Sequence, residues 1–242
     1  SPHFDIVVEE FSHLKGFVHK VYLDQYTPFE NTFFFDSDVL LFKDLQPIVQ
    51  RWAGQSYTAS GEYMTSGFSS FGLDRAAVLK KINKPELAVI DGAGHAFFRK
   101  PQCAEVFELA RYVTEHHAEY AGNIHYADED VLDIVMTMLD LAPAPGHDFF
   151  SRHLTAVKGT LDMDARTGTC KMVAQHSSLS FEPYMMHFAS DEASFRYAYE
   201  LSRLFRAHGV NEPGLLTEAA RDYVTRELYW PLKSYAKRLL NK

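Results

Sequence analysis

Two aspartates separated by one residue stand inside a long apolar run near the start of the chain. The aromatic residues Phe33–Phe35 lead directly into Asp36, Ser37 and Asp38, and the apolar residues 39–42 follow. Such a run is typical of a strand buried on both faces, where carboxylates are costly unless a cation neutralises them. Mg²⁺ or Mn²⁺ held by one or two carboxylates and substrate phosphates is a common arrangement. The pattern therefore favours a divalent-metal site over two solvated or capping aspartates.

Four segments resemble, in the same order, the motifs of one class of enzyme. Residues 20–45, which contain the two aspartates, are similar to the D-x-D region of nucleotide-sugar glycosyltransferases with the GT-A fold. They most resemble glycosyltransferase family 8, the glycogenin and lipooligosaccharide galactosyltransferase type. Three later segments resemble further motifs of that family: Asp91–Arg99, Ala127–Leu132 and Met185–Phe188. The resemblance implies transfer of a sugar from a nucleotide-diphosphate sugar, with a UDP-sugar as the expected donor, to an unknown acceptor with retention of configuration.

The resemblance also implies a metal centre. In the family the two aspartates of the motif bind Mn²⁺, and a late histidine supplies the third ligand. Asp36, Asp38 and His187 are then expected to hold Mn²⁺ or Mg²⁺ against the donor diphosphate, with Ser37 in contact with the donor. Because the chain has 12 histidines, His187 alone fits a structural histidine more readily. Its place in the segment Met185–Phe188 favours the ligand.

Other residues are expected to contact the donor. Lys20 matches a basic residue that reaches the donor phosphate or sugar in the family, although a solvated helix lysine fits the spacing equally well. Asp91, Gly92 and Gly94 match a strand entry where the backbone passes close to a ligand, and a simple turn is the alternative. The family has a lysine soon after the late histidine, whereas the first cation here is Arg196. Either Arg196 takes over that contact or the leaving group is less stabilised.

Three consecutive acidic residues, Asp128, Glu129 and Asp130, begin a predicted helix. Acidic residues at a helix start complement the helix dipole and cap free amides, which could explain all three. The resemblance instead implies contacts with the donor sugar near its anomeric carbon. Side chains on a helix are about 100° apart, so at most two can face one site. We expect Asp128 or Glu129 to be the catalytic acidic residue, and Asp130 to bind substrate or to act structurally.

Composition narrows the class of protein and partner. The 242 residues are 46% hydrophobic, which is enough for a real core. The net charge of −8, without a basic block, argues against a nucleic-acid partner and leaves donor phosphates dependent on a metal and local cations. Two cysteines are too few for a disulfide framework, which favours a cytoplasmic location. No transmembrane segment is expected, since no stretch of 18 apolar residues occurs.

Predicted strands alternate with predicted helices, which indicates an α/β fold. Together with the resemblance, this predicts a GT-A-like, mainly parallel Rossmann-type sheet with antiparallel additions and a C-terminal helical tail. A first strand is predicted over Phe4–Val8, and the strand with the two aspartates over Asn31–Phe42. Residues 1–190 are expected to form the catalytic domain, and residues 191–242 a helical extension packed on it. The first β-α-β unit of the GT-A fold, which holds the nucleotide, is expected to be missing.

Two other functions stay open. A phosphatase of the haloacid dehalogenase type also places D-x-D after an apolar strand and binds Mg²⁺, but it expects Thr or Val where Leu40 stands. A non-catalytic subunit that only binds a nucleotide sugar is the second alternative. The loop Thr65–Gly72, rich in Gly, Ser and Phe, is predicted to be a lid over the active site, with an ordinary surface loop as the alternative.

Overall fold

The computed structural model describes residues 5–9, 11, 13–145, 150–152, 156–157, 159–173, 179–188, 194–210, 212 and 214–224. A 3₁₀ helix spans Gly16–Tyr22. The α-helices are α1 Leu23–Tyr26, α2 Gln46–Trp52, α3 Arg75–Ile82, α4 Ala104–Glu115, α5 His117–Ala121, α6 Asp128–Met138, α7 Ser194–Ala207 and α8 Gly214–Tyr223. The strands are β1 Asn31–Phe35, β2 Val39–Leu41, β3 Tyr57–Thr58, β4 Gly61–Met64, β5 Leu87–Ile90, β6 His95–Arg99, β7 Phe150–Arg152, β8 Asp162–Asp164, β9 Thr169–Val173, β10 Ser180–Phe181 and β11 Met185–His187.

The chain divides into two compact units. The first unit comprises Ser1–Phe35 and Gln46–Gly146, and the second comprises Asp36–Leu45 and His147–Lys242. The predicted boundary between residues 190 and 191 falls among residues 189–193, which lie outside the described residues, so that boundary stays a prediction.

The first unit contains two small antiparallel sheets and a helical layer. β6 lies between β1 and β3 and is antiparallel to both, while β4 pairs antiparallel with β5. Every residue of β5 is buried, and helix α6 packs against this strand. Helix α4 packs on α6 and on the 3₁₀ helix, and its Phe107 meets Phe98 of β6 edge to face with ring centroids 4.9 Å apart. Burial of these apolar faces supplies the main stabilisation of this unit.

Two polar side chains of α6 join this helix to β5. Asp133 accepts a hydrogen bond from the backbone N–H of Ile90 at 2.8 Å, and Thr137 accepts one from that of Ala88 at 2.9 Å. The two side chains lie four residues apart and therefore on one helix face. Among the described strands β5 pairs with β4 alone, so these bonds satisfy N–H groups on its other edge that burial would make costly to leave unpaired.

The second unit contains two three-stranded sheets and two helices. β11 lies between β2 and β7, antiparallel to the former and parallel to the latter, and β9 lies between β8 and β10, antiparallel to both. Helices α7 and α8 pack on each other. A buried cluster forms the core of this unit and comprises Leu40, Phe42, Met163, Ala165, Cys170, Met172, Met186 and Phe188.

The structure confirms the mixed α/β character, the helix that starts at Asp128 and a helical C-terminal region, but it corrects the predicted strands. The predicted strand Asn31–Phe42 is two strands, because residues 36–38 form a turn closed by a hydrogen bond from Val39 N–H to the Asp36 carbonyl. β1 is half-buried at its centre and exposed at both ends rather than buried on both faces, and among the described strands it lies at the edge of its sheet. Residues 5–8 of the predicted first strand are exposed and belong to no strand, and Phe4 lies outside the described residues.

The predicted mainly parallel Rossmann-type sheet is not observed. Among the described strands, only β7 and β11 pair in parallel, and all other strand pairs are antiparallel. Alternation of strands and helices predicted parallel crossovers. In this chain β6 instead lies between β1 and β3 and runs antiparallel to both. Strands and helices therefore alternate along the sequence although these strands pair antiparallel.

Over the described ranges, no helix combines the length and the apolar character needed to cross a membrane. Both cysteines, Cys103 and Cys170, are buried free thiols. The cytoplasmic location stays a prediction.

The close approach of β4 to β5 gives a stability prediction for Gly61. A Cβ atom at this position would overlap the carbonyl oxygen of Val89 and lie 2.9 Å from the Cα of Ile90. These are backbone atoms that cannot shift without breaking the strand pairing, so we expect Gly61→Ala to lower the free energy of unfolding by about 2 kcal/mol or more. Gly54→Ala is the control, because a Cβ there meets nothing within 4 Å. Urea unfolding measures both, and equal stability of the two variants would contradict the close approach.

The buried Asp133 gives a pH-dependence prediction. Burial raises its pKa well above the ordinary value, against the opposing effect of the Ile90 N–H bond, and Glu129 and Asp130 raise it further. The folded protein thus holds this proton more tightly than the unfolded chain does. The associated stability is complete below the unfolded pKa of about 3.9 and is lost as the pH rises toward the folded value.

We expect Asp133→Asn, which keeps an acceptor oxygen but cannot ionise, to gain stability relative to the parent as the pH rises from 4 to 8. Denaturant unfolding across this range measures the difference. Glu108→Gln, on the exposed face of α4, is the control and should show little change. A difference between Asp133→Asn and the parent that stays constant with pH would show that Asp133 does not titrate as inferred.

Candidate active site

The three predicted metal ligands lie together in the second unit. The D-S-D turn (Asp36–Asp38) immediately precedes β2, and β11 pairs with β2 so that His187 lies opposite Val39. The Nε2 atom of His187 is 3.1 Å from a carboxylate oxygen of Asp38 and 3.8 Å from one of Asp36. One donor atom from each of the three residues lies within 4.8 Å of the other two. Strand pairing therefore brings the imidazole to the two carboxylates.

The chemistry and spacing of this cluster fit a small divalent cation. Carboxylate oxygens are preferred ligands of Mg²⁺ and Mn²⁺, and an imidazole nitrogen completes the set. Neighbouring ligands in an octahedral shell with bonds of about 2.1 Å are about 3 Å apart, close to the shorter observed distance. The side chains of Asp36 and Asp38 are 24% and 41% exposed, which leaves room for substrate oxygens or water, whereas that of His187 is 8% exposed. Metal binding itself stays a prediction.

Backbone hydrogen bonds hold both ends of the D-S-D turn. The carbonyl of Asp36 accepts from Val39 N–H at 3.2 Å, which closes the turn onto β2. The carbonyl of Asp38 accepts from Phe188 N–H at 3.0 Å, which ties the turn to the residue after His187. The two aspartates therefore stand on a turn that is bonded to both strands of the pair.

The middle of the turn is held by a residue that sequence reasoning did not identify. The hydroxyl of Tyr197, on α7, donates to the carbonyl of Ser37 at 2.7 Å. Burial raises the pKa of Tyr197, and the charge of Asp38 raises it further, so the phenol stays a hydrogen-bond donor. Ser37 is exposed, and its predicted contact with the donor stays a prediction.

In the first unit, Lys20 and Asp128 form an ion pair. The Nζ atom of Lys20 lies 3.0 Å from a carboxylate oxygen of Asp128, and the two side chains are 16% and 6% exposed. Lys20 also donates a hydrogen bond to the carbonyl of Ala93 at 2.9 Å. Lys20 is therefore not a solvated helix lysine: it links the start of α6 to the turn before β6.

That turn contains the predicted donor-contacting segment with Asp91, Gly92 and Gly94. Gly92 has φ +77°, a conformation that favours glycine, and its N–H bonds back to the Ile90 carbonyl at 2.8 Å. The N–H of Asp91 donates to the carbonyl of Ser60 at 2.7 Å. Gly92 and Gly94 are buried and Asp91 is half-buried. The structure thus confirms a tight turn here, and the contact with a donor stays a prediction.

Asp130 is fully buried and joins α6 to the loop Thr65–Gly72. One of its carboxylate oxygens accepts a hydrogen bond from the Ser69 hydroxyl at 3.1 Å, and the other has no hydrogen-bond partner among the described residues. Burial raises the pKa of Asp130, although the Ser69 bond and the charge of Arg75 oppose this effect. The loop is thus anchored at Ser69, and its predicted role as a lid stays a prediction.

The last two predicted site residues, Glu129 and Arg196, lie in different units of the chain. Glu129 is half-buried in the first turn of α6, between the two more deeply buried aspartates. Arg196, on α7 in the second unit, donates to the carbonyl of Leu161 at 3.1 Å, so part of its hydrogen-bonding capacity serves the fold. Its predicted contact with the leaving group stays a prediction.

Sequence reasoning missed three residues that shape these groups. Asp133 could have been found, because it follows Asp130 by three residues and stands between apolar residues of the helix, and a polar residue on a buried face needs a partner. Ser69 and Tyr197 carried no such signal. A serine in a loop and a tyrosine on a helix reveal their partners only after the chain has folded.

Comparison with known proteins shows similarity at the level of the structure. No protein-family model matches the chain, and no curated protein matches it. The structure is similar to the solved structure of WbbM, described as a bifunctional glycosyltransferase in the apo state, with a TM-score of 0.51 and 15% sequence identity. The match covers 84% of this chain and 36% of that one, so this chain spans about a third of the length of its structural neighbour. At this identity the likeness shows a glycosyltransferase-like fold alone, and membership of family 8 stays a prediction.

Proposed function

We propose that the protein is a metal-dependent glycosyltransferase that moves a sugar from a nucleotide-diphosphate sugar to an acceptor. The observation that carries the proposal is the cluster of Asp36, Asp38 and His187, in a chain whose fold is similar to that of a glycosyltransferase. A UDP-sugar is the donor that we expect, and retention of configuration is the expected stereochemistry, both from the resemblance of the sequence motifs.

The proposed reaction creates negative charge on a departing diphosphate. The net charge of −8 gives the protein a field that repels phosphates, so a local source of positive charge is needed. A bound Mn²⁺ or Mg²⁺ would supply it as a Lewis acid that stabilises the diphosphate. Asp36, Asp38 and His187 would hold that ion, and the exposed edges of the two carboxylates would leave positions for phosphate oxygens.

In the first unit we assign the sugar contacts to the start of α6. The Lys20 ion pair holds Asp128 in a defined position, which is what a residue that stabilises a cationic transition state requires. Glu129 is the other candidate for this role, and Asp130 has one carboxylate oxygen without a hydrogen-bond partner among the described residues, which can accept a substrate hydroxyl. The resemblance of the sequence motifs suggests these roles, and the three acidic residues are buried or half-buried at the start of α6.

A non-catalytic subunit that binds a nucleotide sugar is the second candidate. The observation that favours it is the ion pair itself, because the charge of Asp128 is already compensated by Lys20 at 3.0 Å. A carboxylate compensated in this way contributes less to a developing positive charge. Turnover of a donor distinguishes the two candidates.

The metal site gives the first functional prediction. We expect the parent to bind one Mn²⁺ in the presence of UDP, and Asp38→Asn to bind it at least about tenfold more weakly, because a charged ligand is lost. Asp162→Asn, which removes an exposed aspartate from the same unit, is the control and should bind like the parent. Isothermal titration calorimetry measures the affinities. Equal affinity of Asp38→Asn and the parent would place the metal elsewhere.

Release of UDP or GDP from a panel of nucleotide sugars, with and without Mn²⁺, tests the reaction on the same three proteins. Metal-dependent release by the parent and the control, but not by Asp38→Asn, supports a transferase. Binding of donor and metal without release indicates the non-catalytic subunit. Release of phosphate from simple phosphate esters would indicate a phosphatase.

The ion pair gives a second prediction, which separates structural from catalytic roles. Asp128→Asn and Lys20→Met each leave a largely buried charge without its counter-ion, so we expect each to cost about 3 kcal/mol of stability. The double variant should regain much of that stability, because neither charge remains. If Asp128 acts on the donor, turnover stays low in the double variant.

Asp140→Asn is the control for this cycle, because it removes an exposed ion pair with Lys84 and should change neither stability nor turnover much. Glu129→Gln is assayed beside it, since Glu129 is the alternative catalytic residue. Recovery of turnover together with stability in the double variant would show that Asp128 is structural. Loss of turnover in Glu129→Gln at unchanged melting temperature would then assign the role to Glu129.

A further inference from the structure

Tyr197 contacts both segments that supply the candidate metal ligands. Its hydroxyl donates to the carbonyl of Ser37, the central residue of the D-S-D turn, at 2.7 Å. Its ring lies beside that of Phe188, the residue that follows His187, with ring centroids 5.5 Å apart. One side chain on α7 thus connects the turn with the two carboxylates to the end of the strand with the imidazole.

The strand with His187 and the D-S-D turn differ in how far pairing with neighbouring strands restrains them. His187 is the last residue of β11, which has a strand on each side. The D-S-D turn lies outside the strands, and Ser37 at its centre is exposed. A rotation of the peptide groups around Ser37 would move both aspartates, so a hydrogen bond to the Ser37 carbonyl restrains both carboxylates together.

A partly buried ionic network joins helix α7, and with it Tyr197, to the β8–β9 hairpin. Glu200, three residues after Tyr197 and 2% exposed, accepts a hydrogen bond from the N–H of Ala165 at 2.9 Å. Arg203 bonds to Glu200 at 2.8 Å and to Asp164 at 2.5 Å. Asp164 and Ala165 lie where β8 ends, so this network joins α7 to the β8–β9 hairpin.

We propose that Tyr197 is a positioning residue that sets the distance between the D-S-D turn and His187 in the metal site. The proposal rests on the metal-dependent function proposed above. Groups that orient the ligands of a metal typically change its affinity by ten- to a hundredfold when they are removed. Tyr197 acts through the Ser37 carbonyl and does not itself coordinate the ion.

Tyr197→Phe tests this role, because it keeps the ring beside Phe188 and removes only the hydroxyl. We expect the dissociation constant for Mn²⁺, titrated alone by calorimetry, to rise about tenfold. The melting temperature should fall by no more than about 4 °C, since one hydrogen bond to an exposed carbonyl is lost. Tyr199→Phe is the matched control: Tyr199 lies on the same helix, about 200° around it, and is 46% exposed. It should bind Mn²⁺ like the parent.

Hydrogen exchange supplies a readout that needs no metal. The amides of Val39 and Phe188, which bond to the two ends of the D-S-D turn, should exchange faster in Tyr197→Phe than in Tyr199→Phe. Parental Mn²⁺ affinity in Tyr197→Phe, or unchanged exchange at both amides, would overturn the positioning role while leaving the metal site intact. Affinity that falls only in step with a large loss of melting temperature would also overturn it. Failure of the parent itself to bind Mn²⁺ even with UDP present would instead overturn the proposed function, and the exchange result would still decide whether Tyr197 orders the turn.

Discussion

The antiparallel pairing of β2 with β11 is the interaction on which the candidate metal site depends. Leu40 on β2 and Met186 on β11 are opposite each other and belong to the buried cluster of the second unit. Because side chains alternate between the two faces of a strand, His187 must point to the other face from Met186. A shift of one residue in the register would turn His187 to the other face of the sheet, away from its position opposite Val39. The register of this strand pair therefore places the imidazole beside the carboxylates.

The first unit uses buried acidic residues in a different way. Three aspartates of α6 each have a partner in another element: Asp128 pairs with Lys20, Asp130 with Ser69, and Asp133 with the N–H of Ile90. These bonds attach one helix to the 3₁₀ helix, to a loop and to a strand. Because burial of an unpaired charge is unfavourable, the folded chain must place a hydrogen-bond or ion-pair partner beside each of these aspartates. Burial disfavours the charged form of these carboxyl groups, and it therefore raises the pKa values of Asp130 and Asp133.

Local features of the fold were predictable from the sequence. The helix that begins at Asp128 follows from three acidic residues before an apolar run, and the tight turn at Gly92 follows from closely spaced glycines. The D-x-D motif indicated a metal site, and the structure places His187 beside both aspartates. The same motif was misread as part of one strand. The apolar residues on both sides outweighed the turn preference of Asp-Ser-Asp in the prediction, whereas a turn bonded at both ends occurs in the structure.

The sequence by itself determined the residue types available for chemistry and their local setting: two carboxylates separated by one residue after an aromatic run, a late histidine in an apolar segment, and an acidic helix start. The tertiary structure decided which of them meet. The antiparallel sheets, the Lys20–Asp128 ion pair and the contact of Tyr197 with Ser37 all join segments far apart in the chain. Periodicity and turn preferences act over a few residues, so they carry no information about such partners. Those partners follow from burying the apolar faces together while every buried polar group seeks a hydrogen bond.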